Sequence, residues 1–279
     1  MDWIRKRRDL LENGVCIIEN VLDPAMLENV RSVAQAKLDQ LTDRDRAEQR
    51  STGSMIANRD LPGLAELFAW PPTLDALKRL GFDDIKFSRA YLISKPAHTP
   101  QLFWHQDFTV WSGEPRAYVE TSPQLFGMFY LVDTNRENGC LRVIPGSHRK
   151  RHSLHEQLGV AHTAATRRMD DPESPLYGSA AGEIDVPTRA GDLVLGDGRA
   201  LHAAHANQSD QERSVITIWY HPMFSELQEG TQKQITDLAQ AEWECWPADA
   251  RRMTQEIIAD YDGPAEAIPR DRVPGPQLK

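Results

Sequence analysis

Two stretches of this 279-residue chain carry side chains whose types and spacing could do chemistry. The first is Phe103-Trp104-His105-Gln106-Asp107-Phe108, where a histidine and a carboxylate lie two positions apart directly after a strand-like run. The second is Gly191-Asp192-Leu193-Val194-Leu195, followed by His202, His205, Asn207 and Arg213. An imidazole and a carboxylate from the first stretch, joined by an imidazole from the second, would supply two neutral nitrogens and one anionic oxygen. That donor set leaves three adjacent metal positions open and suits non-haem Fe(II). On residue type alone, His202 and His205 both qualify as the distal nitrogen. Arg213 would add a fixed guanidinium fork able to grip a carboxylate. An open ferrous site paired with such an arginine is what a 2-oxoglutarate co-substrate requires, its keto acid end on the metal and its far carboxylate on the arginine.

The elements that must position these groups change character along the chain. The N-terminal part predicts helices at Asp2 to Glu12 and at Thr73 to Leu80, with a short β-type run at Val15 to Ile18. Between them, Asp23-Pro24 fits an N-cap with proline at the first helical position, ahead of Leu27, Val30, Ala34, Leu38 and Leu41 at spacings of three and four. From Ile85 the pattern is of short strands: Ile85 to Ile93, Gln101 to Trp104, Leu125 to Val132, Cys140 to Ile144, Glu183 to Val186, Asp192 to Leu195 and Arg213 to His221. Strands in such number without intervening helices argue for a mainly β jelly-roll core with flanking α-helices. The reading is one catalytic domain over residues 1–262, with N-terminal helices in 1–84, the core in 85–222 and C-terminal helices in 231–261. A polar segment from His148 to Gly182 reads as a lid over the site, and residues 263–279, with four prolines, as an extended tail.

The motifs also carry a resemblance. FWHQDF, then Trp111, then NGCLRVIPGSHR from Asn138 to Arg149, then GDLVLGDGRALH with Asn207 and Arg213 downstream, resembles the phytanoyl-CoA dioxygenase family of Fe(II)/2-oxoglutarate oxygenases, and within it the ectoine-hydroxylase branch. The resemblance spans about half the chain, from Ile85 to His221. It implies a double-stranded β-helix, iron on His105, Asp107 and His202, and the co-substrate carboxylate on Arg213. The offsets of His202 from Asn207 and Arg213 favour it over His205. The resemblance also implies that Trp111 lies beside the substrate. One departure is Ala204, where the family often has a serine or threonine that also bonds 2-oxoglutarate. Retention of Asp107 points to hydroxylation rather than halogenation. The implied activity is hydroxylation of an unactivated C–H bond of a small polar metabolite by O2 and 2-oxoglutarate, with succinate and CO2 released. Desaturation, epimerisation or cyclisation on the same cofactors, and a non-catalytic binding module, are the alternatives.

Several residues have blander readings. Arg89 and Tyr91 share a strand face and could point at substrate, as could Arg116, although surface ion pairs would explain the arginines equally well. His148, His152 and His155 are spaced for one helix face, yet His148 in the PGSH turn reads better as a structural hydrogen bonder. A zinc hydrolase is disfavoured because no evident general base adjoins the triad. Cys16, Cys140 and Cys245 form no CxxC pair and read as buried free thiols. With 32 Lys+Arg against 41 Asp+Glu, a net charge of −9, nucleic acid and anionic membrane are poor partners. No secretory signal or membrane-length apolar run is visible, so the expectation is a cytoplasmic monomer or homodimer acting on a small molecule.

Overall fold

A computed structural model describes residues 1–159 and 162–279. Among the described residues, ten strands form two antiparallel sheets. The strands are β1 (Val15–Ile18), β2 (Ser54–Ala57), β3 (Lys86–Lys95), β4 (Leu102–His105), β5 (Leu125–Tyr130), β6 (Leu141–Val143), β7 (Ile184–Val186), β8 (Leu193–Asp197), β9 (His202–Ala204) and β10 (Arg213–His221). The larger sheet has the order β1-β8-β5-β10-β3-β2 and the smaller β4-β9-β6-β7. Two facing sheets joined by crossovers between non-consecutive strands make the expected jelly roll.

The helices cover the outer face of the larger sheet. The first, α1 (Trp3–Asn13), starts where the Asp2 side chain accepts from the Arg5 amide and ends at Gly14, whose φ of +81° a side chain would oppose. The next, α2 (Pro24–Leu38), is capped by Asp23 and buries Met26, Val30, Ala34 and Leu38 at every fourth position. Two short helices, α3 (Asp43–Glu48) and α4 (Ala65–Phe68), and two 3-10 turns, Asn58–Asp60 and Pro62–Leu64, precede α5 (Pro71–Arg79). Inside the later segments lie α6 (Ala164–Arg168), α7 (Glu229–Trp243) and α8 (Ala248–Thr254). The apolar faces of α1, α2, α4, α5, α7 and α8 share one core with Phe87, Leu92, Leu125, Phe129, Ile216 and Ile218. Each such side chain taken out of water contributes about 1.5–3 kcal/mol, so this layer is what holds the larger sheet rigid. No helix among the described residues is long and apolar enough to cross a membrane.

The element bounds differ in detail from those expected. The core does not begin at residue 85, because β1 pairs with β8 and β2 with β3, bringing the N-terminal segment into the larger sheet. The C-terminal helical region is two helices, broken at the Trp246-Pro247 step, and residues 255–261 are not helical. The extended tail is docked on the core. Asp271 pairs in bridge fashion with Val110, and Leu278 is buried against Phe108, Trp111 and Ala117. The segment from His148 to Gly182 is also more structured than a plain loop, holding α6 and two 3-10 turns, Ser153–Gln157 and Pro175–Tyr177.

Candidate active site

The site lies between the sheets, and strand register builds it. His105 at the end of β4 is the direct cross-strand partner of His202 at the start of β9. Opposed residues on antiparallel strands point to the same face, and the two imidazole centroids are 4.2 Å apart. In each ring Nδ1 lies 3.0 Å from a backbone carbonyl, Phe103 for His105 and Ala200 for His202. A carbonyl can only accept, so the proton sits on Nδ1 and the Nε2 lone pairs are left free. Asp107 reaches both: its carboxylate oxygens stand 3.7 Å from His105 Nε2 and 3.6 Å from His202 Nε2. Burial, then the neighbouring His202, pushes the His105 imidazole down to about 3, against the opposing pull of Asp107. A neutral, buried nitrogen is the form that binds a metal.

The surroundings fix these three groups in place. The amides of Asp107 and Phe108 both donate to the Gly198 carbonyl, at 2.8 and 2.9 Å. Trp219 Nε1 donates to Asp107 Oδ2 at 2.8 Å, which orients the carboxylate. Phe126 lies against the His202 ring at 4.6 Å. Room for Phe126 comes from Gly196, where a Cβ would fall 1.9 Å from the phenyl ring. Between Gly196 and His202, Arg199 is wholly buried, makes a bidentate pair with Asp197 and donates to the carbonyls of Ala117 and Val119.

A cavity runs from the histidines to Arg213 on the opposite sheet, lined along β10 by Arg213, Val215, Thr217 and Trp219. These are alternate residues of one strand, hence one face. The Arg213 guanidinium is buried, stacks 5.7 Å from the Tyr130 ring, and its Nε has no partner. Burial lowers its proton affinity, but a guanidinium stays charged. Two hydroxyls on the same cavity, Thr52 Oγ1 and Thr217 Oγ1, are likewise buried without partners. Register partner to Arg213 is Lys95, wholly buried, which donates to the carbonyls of Ser51 and Pro100. Burial, then Arg213 and Arg142, holds Lys95 well below the ordinary lysine value. Arg213 is therefore the lasting positive charge lining this end of the cavity, and among the described residues no carboxylate is in ion-pair contact with it.

A second, wider cavity of about 200 Å³ opens beside Asp107 and Trp219. Arg89 and Tyr91 line it, as their shared strand face suggested, but Arg89 is bound to Glu242 of α7 at 2.7 Å and to the Tyr91 hydroxyl. Trp111, expected beside the substrate, does not line it. Its ring finds full burial under the tail instead, packed on Phe108 and Tyr118. Arg116 is likewise outside, paired with exposed Glu226 at 2.9 Å. His205 is outside as well, its Nε2 2.6 Å from Asp185 on the far side of β9. His148 donates to the Leu11 carbonyl, and His152 caps a 3-10 turn rather than continuing a helix, so the three spaced histidines share no face.

Four contributors were not anticipated. Thr217 and Trp219 follow from Arg213 by simple alternation along β10 and could have been found that way. His162 could not: it sits at φ +59° in an irregular segment, edge-on to His105 at 4.8 Å, and its ligand atom lies within 4.8 Å of those of His105 and Asp107. Arg272, in the proline-rich tail, donates to the Gln106 carbonyl at 2.9 Å, between His105 and Asp107 of the HxD step.

Comparison with known proteins places this geometry. The model of the family described as phytanoyl-CoA dioxygenase (PhyH) matches residues 10–215. Ectoine dioxygenase of Bordetella bronchiseptica is 25% identical over 173 residues, 60% of this chain and 56% of that protein. The chain spans about half the length of the curated relatives it matches. Among solved structures, the non-heme α-ketoglutarate-dependent carbocyclase SnoK from nogalamycin biosynthesis aligns with a TM-score of 0.58 at 24% identity, over 77% of this chain and 82% of that one. EctD from S. alaskensis, solved with 2-oxoglutarate and 5-hydroxyectoine, aligns with a TM-score of 0.55 at 19% identity, over 78% and 75%. At these identities both show a common fold.

Proposed function

The chain belongs to the phytanoyl-CoA dioxygenase family, and on that premise we propose that it is an Fe(II)- and 2-oxoglutarate-dependent dioxygenase that hydroxylates an unactivated C–H bond of a small molecule. His105, Asp107 and His202 would hold the metal. Their fit rests on two Nε2 lone pairs and one buried carboxylate facing a common point, with both Nδ1 protons committed to carbonyls. Arg213 would hold the far carboxylate of the keto acid. The observation that carries the reading is the pairing of this donor set with an unpartnered, buried guanidinium at the other end of one cavity.

Ala204 removes the hydroxyl expected two residues after the distal histidine. Thr217 and Thr52 supply candidates in its place, being buried, unpartnered and on the Arg213 cavity. A carboxylate there would accept from both and from the guanidinium, satisfying groups that otherwise stay orphaned at about 1–3 kcal/mol each. Bound in this site, iron with 2-oxoglutarate and O2 would supply the oxidising power that removes a substrate hydrogen, leaving succinate and CO2 as co-products. The protein's own work is positional. Trp219 holds Asp107, Phe126 holds His202, and the segment bearing His162 lies over His105, where it limits access of water. Desaturation, epimerisation or ring closure would use the same residues, and the fold likeness to a carbocyclase keeps ring closure as the second reading.

Anaerobic loading with Fe(II) and 2-oxoglutarate followed by O2 tests this. Succinate should form above a metal-free control and more strongly with a true substrate. If Fe(II)-loaded protein bound no 2-oxoglutarate, a non-catalytic binding module would take the reading's place.

A further inference from the structure

The wider cavity beside Asp107 has one wall of apolar side chains, Met55, Phe108, Val110, Leu227, Ile235 and Leu238. Its charged groups are unbalanced. Arg89 is neutralised by Glu242, and Asp107 is committed to the metal in the proposed function. Arg270 and Arg272 also line the cavity; among the described residues neither has a carboxylate within ion-pair distance, and the carboxylate that acts on Arg272 from further off is Asp107 itself. Arg272 spends one nitrogen on the Gln106 carbonyl, which anchors the guanidinium and leaves the rest of its fork for a ligand. Two further polar groups on the cavity, Gln234 Nε2 and Thr231 Oγ1, are more than nine-tenths buried and have no partner. A neutral or cationic substrate would leave a half-buried guanidinium uncompensated over the site and these groups unsatisfied.

We infer that the substrate is an organic anion with an apolar body, its carboxylate or phosphate held by Arg272 and its body lying on the α7 wall. The inference rests on the oxygenase reading of the same site and deepens it. Since Arg272 is bonded to the residue between His105 and Asp107, the oxidised carbon would lie within a few bonds of the anionic group. Arg270, more exposed, would contribute less because solvent screens it. The long apolar groove and basic patch of an acyl-CoA site are not needed for this ligand.

The test measures binding of three probes of equal chain length, hexanoate, hexanamide and hexyl phosphate, to protein loaded anaerobically with Fe(II) and 2-oxoglutarate. Titration calorimetry should show at least one anion binding about tenfold or more tighter than the amide. Arg272→Gln should abolish that preference while the 2-oxoglutarate affinity stays within about twofold, and Arg272→Lys should restore part of it. Which anion is preferred separates a carboxylate from a phosphate substrate. Equal binding of amide and anions, no binding of any probe, or an unchanged preference in Arg272→Gln would overturn the inference while leaving the oxygenase reading intact. Loss of 2-oxoglutarate affinity in Arg272→Gln would also overturn it, by assigning Arg272 to the metal centre. Failure of the unmutated protein to bind 2-oxoglutarate at all would instead remove the underlying reading.

Discussion

The floor and the roof of the site are built by different means. On the floor, His105, His202, Arg213, Thr217 and Trp219 stand on strands, and their directions are set by register and by alternation. Over it lie His162 on an irregular segment and Arg270 and Arg272 on the tail, none of them in regular structure. Strand positions hold side chains within the few tenths of an ångström that ligation requires, while irregular segments accept change without disturbing a core. The division suggests that the floor carries what the family shares, a metal and a keto acid, and the roof carries what sets this chain's substrate.

The largest expected effect breaks the floor. His202→Ala removes one of three proposed metal ligands and should lower succinate formation by about a thousandfold or more, with loss of stoichiometric iron in metal analysis. His205→Ala, three residues away but turned to Asp185, should keep iron and most activity. The reverse result would reassign the distal ligand.

Acid should separate the two regions. Burial holds His155, under the roof, down to about 4, with Arg151 and His152 adding to it, and burial holds His221, on β10, at about 4 as well. Both imidazoles are neutral when folded and gain protons more readily when unfolded. Their stabilisation is therefore complete above the ordinary value of 6.5 and is lost as pH falls from there towards 4, by on the order of 2 kcal/mol for each. Opening a 3-10 turn costs less than unfolding a sheet. Hydrogen exchange at pH 5 should therefore show residues 153–157 losing protection while β10 keeps it, and simultaneous loss would show that floor and roof form one cooperative unit.

A smaller effect tests the co-substrate end. Thr217→Val keeps shape and removes the hydroxyl, and should weaken 2-oxoglutarate about tenfold while leaving pyruvate, which lacks the far carboxylate, unchanged. Equal weakening of both would place Thr217 elsewhere than at that carboxylate.

The same contrast explains what could be read from the sequence. His105, Asp107, His202 and Arg213 stand in strand-borne motifs with fixed offsets, and the jelly roll follows from the run of short strands. Alternation from Arg213 also contains Thr217 and Trp219, which share its strand face. Strands β2 and β9 are hard to read because SMIA and HAA have weak strand propensity, and cross-strand pairing makes them strands, β2 on the long β3 and β9 between β4 and β6. The burial of Trp111 is hard to read for a related reason. The cluster that buries it includes Leu278, and no local pattern links positions so distant in the chain. His162 and Arg272 face the site through tertiary packing alone, in segments whose composition suggests no fixed structure.

That packing supplies the finest test of the division. Leu278 is buried against Phe108, Trp111 and Ala117, while the Arg151 guanidinium donates to the carbonyls of Pro274, Gly275 and Leu278. Leu278→Ala should weaken this docking by about 2 kcal/mol, the low end for a buried leucine, because a tail can readjust more easily than a core. Such a change raises the detached population of the tail roughly thirtyfold without unfolding the jelly roll. Arg272 would then be absent from the cavity for part of the time, and the apparent affinity for substrate would fall in proportion to the docked fraction. A several-fold rise in KM for the substrate is expected, with melting temperature and 2-oxoglutarate affinity nearly constant. If 2-oxoglutarate affinity fell in step with KM, the tail would belong to the floor, and the separation of shared chemistry from substrate choice would not hold.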